Sequence, residues 1–281
     1  MLLSRRWETM NTVTQRPSSI PDVLTQENLW GYKNRLEFVD EQCLSRFSHR
    51  NVSVLDVGCG NGSYLAIPLS LRGYDVTGVD PHQKSITRAV SFGSDVEFFC
   101  GACAEIRAKF NVVILSEVLE HLHHPEALLA DAVKRMAPGG LMIVTVPNGY
   151  GEFEIDSRIY YGLHLDRAKN SFYALRRRLV GKLPPVPDLA ATDDTSGHVQ
   201  RFTLARIRNL FAAHGLVIAC TRGTSFISGP IVCSTIAHIP GFMRWNVAIS
   251  KGLPLILSSG WMFSLTVSHT GNPDDARRAN R

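Results

Sequence analysis

Between residues 52 and 148, short apolar runs alternate with segments of helical spacing, and this alternation constrains the fold more than any other feature. A short apolar run bounded by turn residues is typical of a buried strand, and strands separated by helices form a parallel sheet. The predicted strands are Val52–Val57, Asp75–Val79, Val96–Phe99, Val112–Leu115 and Leu141–Val146. The predicted helices are Ser63–Leu71, Gln83–Phe92 and Glu126–Met136. We therefore expect an α/β fold with helices on both faces of the sheet.

The C-terminal part of the chain is expected to complete this sheet. A helix is predicted at Leu204–His214, and two further strands are predicted at Leu216–Thr221 and Trp261–Ser268. The expected architecture is a three-layer sandwich with a mainly parallel seven-stranded sheet and an antiparallel last strand. A further helix is predicted before the sheet, within residues 22–50.

Two insertions are predicted around one domain. The expected segments are a mobile leader at 1–20, a single domain at 21–270 and a polar tail at 271–281. Residues 150–200 break the alternation with six aromatic residues and the basic run Arg176–Arg178, and they are predicted to form a cap with a basic helix at 167–180. Residues 228–258 are predicted to be a second, apolar and partly helical insertion. We expect both to cover a pocket at the carboxyl ends of the strands.

Composition narrows the function only a little. The net charge of +5 fits an anionic substrate, a membrane surface or RNA, and selects none of them. Six scattered cysteines do not form a disulfide framework, which favours a reducing compartment. We expect neither a secretory signal nor a membrane span, because no apolar run is long enough for either. These features predict a cytoplasmic protein.

The first predicted strand runs into a glycine-rich turn that indicates the kind of ligand. The turn has the pattern G-x-G-x-G at Gly58, Gly60 and Gly62, with Asp56 two residues before the first glycine. A dinucleotide site prefers G-x-G-x-x-G, and a phosphate-binding loop ends in Gly-Lys-Ser or Gly-Lys-Thr. An acid at Asp56 is poorly placed for a pyrophosphate and well placed for S-adenosylmethionine, which carries an ammonium and a sulfonium. Asp80 ends the second predicted strand, where an acid binds a ribose in dinucleotide folds.

Five segments carry a resemblance to a known family. They read VLDVGCGNG, TGVD, VVILSEVLEHL, APGG and VTVPN within residues 30–150, and a weaker match lies at Gly197–Thr203. The run resembles the class I S-adenosylmethionine-dependent methyltransferases, which have a Rossmann-like fold, and is similar to the ubiquinone-biosynthesis O-methyltransferase type. The first two segments are specific for the cofactor. The others are shared by methyltransferases with unrelated substrates.

The resemblance implies roles for individual residues. Gly58, Gly60 and Gly62 are expected beneath the methionine part, with Asp80 on the ribose, Ser116 against the cofactor and Arg35 at its carboxylate. The chain departs from the family pattern twice. Asn111 stands where an Asp usually opens the fourth strand, and the acid that holds the adenine amino group is missing at Ala102 and Cys103, although Glu105 lies nearby.

A second motif, the segment from Glu117 to His121, suggests either a metal site or the N-terminal end of a helix. Glu117, Glu120 and His121 have the spacing of one helix face, and in the ubiquinone type this segment is associated with metal. A divalent ion there would bind a catechol-like acceptor and lower the pKa of its hydroxyl group. The alternative, which we favour, is that Ser116 caps a helix, Glu117 interacts with its positive end and Glu120-His121 orders the loop.

The histidines are candidates for the base. Methyl transfer is a displacement for which the enzyme chiefly supplies proximity, and a base is needed only when the acceptor must lose a proton. His121 is the first candidate and His198 the second. The alternative is that either residue is only structural.

The acceptor is expected to be a small-molecule, lipid-like or glycan-linked compound that is methylated at oxygen. The sequence lacks the Asn/Asp-Pro-Pro-aromatic segment of amino-methylating nucleic-acid enzymes and the cysteine nucleophile of cytosine-5 enzymes, so a nucleic-acid partner is disfavoured. A peripheral membrane contact stays open. The alternatives are a non-catalytic binding protein with the same fold, an RNA or protein methyltransferase, and a dehydrogenase.

Overall fold

One seven-stranded sheet organises the chain. The computed structural model describes residues 31–151, 198–229 and 241–268, with isolated positions within 156–164, 232–239 and 277–280. The strands are β1 (Ser53–Val57), β2 (Asp75–Asp80), β3 (Glu97–Cys100), β4 (Phe110–Ser116), β5 (Met136–Pro147), β6 (Leu216–Gly223) and β7 (Gly260–Val267). Their order is β3-β2-β1-β4-β5-β7-β6, and β7 alone runs antiparallel to both of its neighbours. The predicted sheet is therefore confirmed.

Helices on both faces bury two apolar clusters. The helices are α1 (Tyr32–Phe47), α2 (Ala66–Leu71), α3 (Gln83–Ser91), α4 (Pro125–Arg135), α5 (Leu204–Ala213) and α6 (Phe242–Ser250), with short 3-10 turns at Cys103–Glu105, Leu119–His121 and Leu255–Leu257. One cluster joins Leu129 of α4 and Phe211 of α5 to the sheet. The other joins Phe38 of α1 and Ile67 of α2 to the opposite face. This arrangement is the expected three-layer sandwich.

Some predicted boundaries are wrong for local reasons. The helix that was expected to end at Met136 ends at Arg135, because Met136 already pairs with Phe110 of β4. The helix expected from Ser63 begins at Ala66, because the side-chain carbonyl of Asn61 accepts hydrogen bonds from both the N–H and the hydroxyl of Ser63. That side chain holds the preceding residues in a turn.

Much of the predicted periphery lies outside the described residues. This applies to the leader, to most of the cap with its basic helix and to most of the tail. The second insertion is described in part, and it contains the expected helix as α6. Within the described residues, no helix combines the length and the hydropathy that a bilayer span needs.

The departure at Asn111 has a structural explanation. Its side-chain carbonyl accepts hydrogen bonds from the N–H of Ser53 at 3.1 Å and from its hydroxyl at 3.0 Å, and its own N–H donates to that hydroxyl at 3.1 Å. These bonds tie the start of β4 to the start of β1. Asn111 therefore acts at the amino ends of the strands, opposite the carboxyl ends that carry the glycine-rich turn.

Replacing Asn111 by Ala leaves the Ser53 N–H without its acceptor in a partly buried position. We expect this variant to lose about 1–2 kcal/mol of unfolding free energy, measured by urea denaturation. Asn111→Asp keeps an acceptor oxygen at the same place and is expected to lose much less. Equal losses in the two variants would contradict this role.

Candidate active site

A cavity of about 270 Å³ opens at the carboxyl ends of the strands. β1 and β4 are parallel neighbours although they are not consecutive, so the segments that follow them diverge and leave a crevice. The described residues that line it come from α1, from the ends of β1, β4 and β5, and from three later segments of the chain: Tyr32, Arg35, Asp56, Gly58, Cys59, Gly60, Tyr64, Leu65, Ser116, Glu117, Glu120, His121, Pro147, His198, Thr224, Ser225, Ser228, Ser259 and Gly260.

The glycine-rich turn has one open glycine between two packed ones. Gly58, Gly60 and Gly62 have φ values of 73°, 55° and 72°, which favour glycine. A Cβ atom at Gly58 would lie 2.5 Å from Val118, and one at Gly62 would lie 2.6 Å from the ring of Phe98. A Cβ atom at Gly60 would have no atom within 4 Å. Packing therefore demands glycine at the outer positions, while Gly60 exposes its backbone to the cavity.

Asp80 forms a hydrogen bond with the backbone of this turn. One of its carboxylate oxygens accepts a hydrogen bond from the N–H of Gly60 at 2.9 Å, and the other accepts one from the N–H of His82 at 2.8 Å. Asp80 does not belong to the residues that line the cavity, and Gly62 does not either. Asp80 and Gly62 instead determine the conformation of the turn, the first by its hydrogen bond to Gly60 and the second by its close packing against Phe98.

Asp56 brings a buried carboxyl group to the cavity. Its side chain is almost fully inaccessible to solvent, and it accepts a hydrogen bond from the backbone N–H of Ala66. Burial, and secondly the charge of Asp80, raise the pKa of Asp56 to about 7. A cationic ligand group in the cavity would favour the ionised form and would therefore gain affinity as the carboxyl loses its proton.

The pKa of Asp56 predicts a pH-dependent stability. The Asp56 carboxyl group has a pKa of about 7 in the folded chain and of 3.8 in the unfolded chain, so the folded chain binds this proton more tightly. The resulting stabilisation of the folded state is present at low pH and is lost as the pH rises from about 4 to about 7. We expect Asp56→Asn, which lacks this titration, to be more stable than the wild type at pH 8 by roughly 2–4 kcal/mol.

The measurement is urea unfolding of both proteins between pH 4 and pH 8. The difference in unfolding free energy between Asp56→Asn and the wild type is expected to change progressively with pH in favour of the variant. A difference that stays constant across this range would contradict the raised pKa.

Glu117 and Arg35 form an ion pair beside the turn. Arg35 Nη2 lies 3.3 Å from Glu117 Oε2, and the other carboxylate oxygen accepts a hydrogen bond from the hydroxyl of Thr145 at 2.8 Å. The guanidinium also lies over the ring of Tyr32, 5.2 Å from its centroid. Arg35 is buried, and its Nε–H has no hydrogen-bond partner among the described residues. A buried N–H without an acceptor suggests that a ligand group completes its bonding.

The predicted helix face at Glu117–His121 is wrong. Glu117 has a φ of 55°, and only the 3-10 turn Leu119–His121 follows it. The N–H of Glu117 donates to the carbonyl of Thr145 at 3.0 Å, so strand pairing extends past Ser116 and bends the chain away from a helix. Ser116 is not a helix cap, because it ends β4 and its hydroxyl lies 3.0 Å from that of Thr145.

Glu120, His121 and His198 form a compact group. Glu120 is fully buried, and its carboxylate oxygens have no hydrogen-bond partner among the described residues. His121 Nε2 lies 3.8 Å from Glu120 Oε1, and the His121 and His198 rings meet edge to face at 5.3 Å between centroids. One nitrogen or oxygen of each of the three side chains lies within 4.8 Å of the others. Burial, with the charge of Glu117, raises the pKa of Glu120 well above its ordinary value.

The backbone brings His198 to His121 from a distant part of the sequence. The carbonyl of Glu120 accepts hydrogen bonds from the N–H groups of Val199 and Gln200, both at 2.9 Å. The side-chain amide of Gln200 donates to the carbonyl of His123 at 2.8 Å. Both histidines were candidates in the sequence analysis, but these hydrogen bonds between the two segments were not predicted.

Two further features of the cavity had no sequence signal. Buried hydroxyl groups form one wall, where the Ser225 and Ser259 oxygens lie 2.6 Å apart and the Thr224 and Ser259 oxygens lie 3.2 Å apart. Tyr32 and Tyr64 stack with ring centroids 4.0 Å apart. These residues come from separate segments, and the fold alone makes them neighbours.

Comparison with known proteins identifies the family. Residues 30–221 match the family model described as a methyltransferase domain. The chain belongs to this methyltransferase family. The ubiquinone biosynthesis O-methyltransferase of Caulobacter sp. (strain K31) is 35% identical over 130 residues, which are 41% of this chain and 51% of that protein. The enzyme of the same name from Rickettsia canadensis (strain McKiel) is 30% identical over 121 residues, with the same two shares.

This chain spans about half the length of the curated relatives that it matches. A solved S-adenosylmethionine-dependent methyltransferase from Clostridium acetobutylicum ATCC 824 covers 84% of this chain and 92% of its own, with a TM-score of 0.50 and 12% identity. The plantazolicin methyltransferase BamL, solved with triazolic desmethylPZN analog and SAH, covers 88% and 85%, with a TM-score of 0.51 and 14% identity. At these identities the likeness concerns the fold. The predicted resemblance to the ubiquinone type is confirmed.

Proposed function

We propose that the chain binds S-adenosylmethionine in this cavity and transfers its methyl group to an oxygen atom of a small-molecule acceptor. The observation that carries the proposal is the open backbone at Gly60, which Asp80 holds by a hydrogen bond, in a cavity also lined by a buried Arg35 whose Nε–H has no partner among the described residues. A ligand with a carboxylate at one end and a ribose at the other matches these groups.

The charges of the cavity support the same ligand. The described lining holds the carboxyl groups of Asp56, Glu117 and Glu120, against one guanidinium from Arg35. S-adenosylmethionine brings an ammonium and a sulfonium, and these cations would lie among an excess of acidic side chains, of which Asp56 and Glu120 are buried. A pyrophosphate at the glycine-rich turn would instead lie beside the carboxyl group of Asp56, which disfavours the dehydrogenase alternative.

The site residues then take the following roles. Gly58 and Gly60 let the methionine part pass close to the backbone, and Gly62 keeps the turn packed. We assign the cofactor carboxylate to Arg35 and the ribose to Asp80, whose oxygens each keep a second lone pair beside the backbone bonds described above. Ser116 and Asp56 line the cavity next to this path.

When bound, the cofactor supplies an electrophilic methyl group on its sulfonium. The chain orients the acceptor and, where that acceptor is a hydroxyl, removes its proton. We assign the base to His121, with His198 as the second candidate, because both line the cavity and meet edge to face. Glu120 lies beside His121, with 3.8 Å between Glu120 Oε1 and His121 Nε2.

A divalent metal is the second candidate for this group, and the unpartnered buried carboxylate of Glu120 is the observation that favours it. The metal ligands would then be Glu120, His121 and His198, whereas the sequence predicted Glu117, Glu120 and His121.

We favour a His121 base that acts without a metal. His121→Ala is then expected to lower kcat at least about 100-fold, with cofactor affinity unchanged. EDTA followed by dialysis is expected to leave kcat intact, and loss of activity that Mg²⁺ or Zn²⁺ restores would instead support the metal.

The acceptor is the least specified part of the proposal. Its oxygen chemistry is supported by the likeness to ubiquinone biosynthesis O-methyltransferases over about half of their length. Small-molecule, lipid-like and glycan-linked acceptors stay within the proposal, as do a cytoplasmic location and a peripheral membrane contact. RNA and protein acceptors, and a binding protein without catalysis, are the alternatives.

Cofactor binding tests the core of the proposal. In titration calorimetry, the wild type is expected to bind S-adenosylmethionine, and Gly60→Arg is expected to lose binding because its side chain fills the cavity. Gly73→Arg is the matched control, since Gly73 also has a positive φ and open surroundings but lies outside the lining. Folded wild-type protein that does not bind, or equal loss in both variants, would contradict the proposed site.

Acceptor chemistry needs a second assay. Transfer of a labelled methyl group is measured with catechols, phenols, lipid-linked sugars, RNA and peptides. Turnover on a hydroxyl acceptor is the expected outcome. Turnover on RNA or peptides alone would overturn the small-molecule acceptor while leaving the cofactor site intact.

A further inference from the structure

Glu117 is held in a backbone conformation that L-residues rarely adopt. Its φ of 55° lies in the left-handed region, and no other non-glycine residue of the described cavity lining has a positive φ. Such strain persists only where the surroundings enforce it, and it concentrates at functional sites. Here the enforcing contacts come from β5, because Thr145 accepts the Glu117 N–H with its carbonyl and donates its hydroxyl proton to Glu117 Oε1.

The hydrogen bonds behind Glu117 have a defined direction. Thr145 gives its single hydroxyl proton to Glu117, so the 3.0 Å contact with Ser116 requires Ser116 to be the donor. The chain of bonds therefore runs from Ser116 through Thr145 to Glu117 Oε1. It leaves Oε2 for Arg35, at 3.3 Å from Nη2. Both oxygens of Glu117 are thus engaged by protein groups.

Arg35 is a long side chain that is held from two directions. Tyr32 lies under the guanidinium, and Glu117 fixes Nη2, while the buried Nε–H has no partner among the described residues. An arginine loses much rotamer freedom when it binds a carboxylate, and a guanidinium that is already oriented pays less of this cost.

We propose that Glu117 is a positioning residue, which orients Arg35 so that the remaining N–H groups of the guanidinium meet the carboxylate of the cofactor. Glu117 is on this account not a ligand of a metal at Glu120, His121 and His198, and it does not belong to the three side chains whose ligand atoms lie within 4.8 Å of one another. The inference rests on the proposed function, because it needs S-adenosylmethionine in the cavity. It adds that the first carboxylate of the SEVLEH segment serves cofactor recognition.

Two ligands that differ in the amino-acid part test the proposal. S-adenosylhomocysteine carries the carboxylate, and 5′-methylthioadenosine lacks the whole amino-acid group. We expect Glu117→Ala to weaken binding of S-adenosylhomocysteine about tenfold and to leave binding of 5′-methylthioadenosine unchanged. Arg35→Ala is expected to show the same selectivity. The double variant is expected to lose little more than either single variant, since the two residues act as one unit.

Glu117→Gln separates the role in positioning from a role in folding. Its side-chain carbonyl can still accept the Thr145 proton, but its amide no longer attracts the guanidinium. This variant is expected to unfold like the wild type and to show the same selective loss as Glu117→Ala. If Glu117→Ala fails to fold, the glutamine variant carries the test alone.

The outcomes separate this inference from the function on which it rests. Equal losses for the two ligands, no loss in Glu117→Gln, or additive losses in the double variant would overturn the positioning role while leaving the cofactor site in place. An effect of Glu117→Gln that disappears in EDTA would indicate a metal ligand and would also overturn it. A wild type that binds neither ligand would refute the proposed function and this inference together.

Discussion

The parallel pairing of β1 with β4 is the constraint on which the site depends. These strands are neighbours in the sheet but are separated in the chain by β2 and β3, so their carboxyl ends feed connections that turn to opposite faces. Val57 pairs with Leu115, which places the glycine-rich turn beside Ser116 and Glu117. The cavity is therefore a consequence of strand order, and every other contribution to it is added around this crevice.

Backbone conformation shapes this crevice as much as side chains do. After β1, three glycines with positive φ turn the chain, and Asp80 at the end of the neighbouring β2 fixes the turn through Gly60. After β4, Glu117 accepts a left-handed conformation because Thr145 of β5 bonds both its backbone and its side chain. Each turn after a central strand is thus held by the adjacent strand, which gives a rigid cradle for a ligand that binds between them.

Sequence reasoning succeeded where a local pattern decides the structure. Apolar runs separate buried strands from helices, so β1 and β2, whose carboxyl ends carry the glycine-rich turn and Asp80, were predicted close to their observed bounds. It failed at Glu117–His121, whose residues suit a helix, because pairing with Thr145 overrides that local preference. The helix predicted from Ser63 begins three residues later, because the side chain of Asn61 holds a turn there.

The hydroxyl wall was missed because Ser225 and Ser259 meet only through the antiparallel pairing of β6 with β7. Contacts between distant segments follow from topology, which a single sequence specifies only indirectly.

The most direct measurement is a crystal structure of the chain with S-adenosylhomocysteine. The account predicts that the ligand lies in the cavity between the glycine-rich turn and Glu117, with its carboxylate on Arg35 and its ribose at Asp80, and that the Arg35–Glu117 ion pair persists. A ligand bound elsewhere, or an Arg35 side chain that leaves Glu117 and points away from the carboxylate, would contradict it.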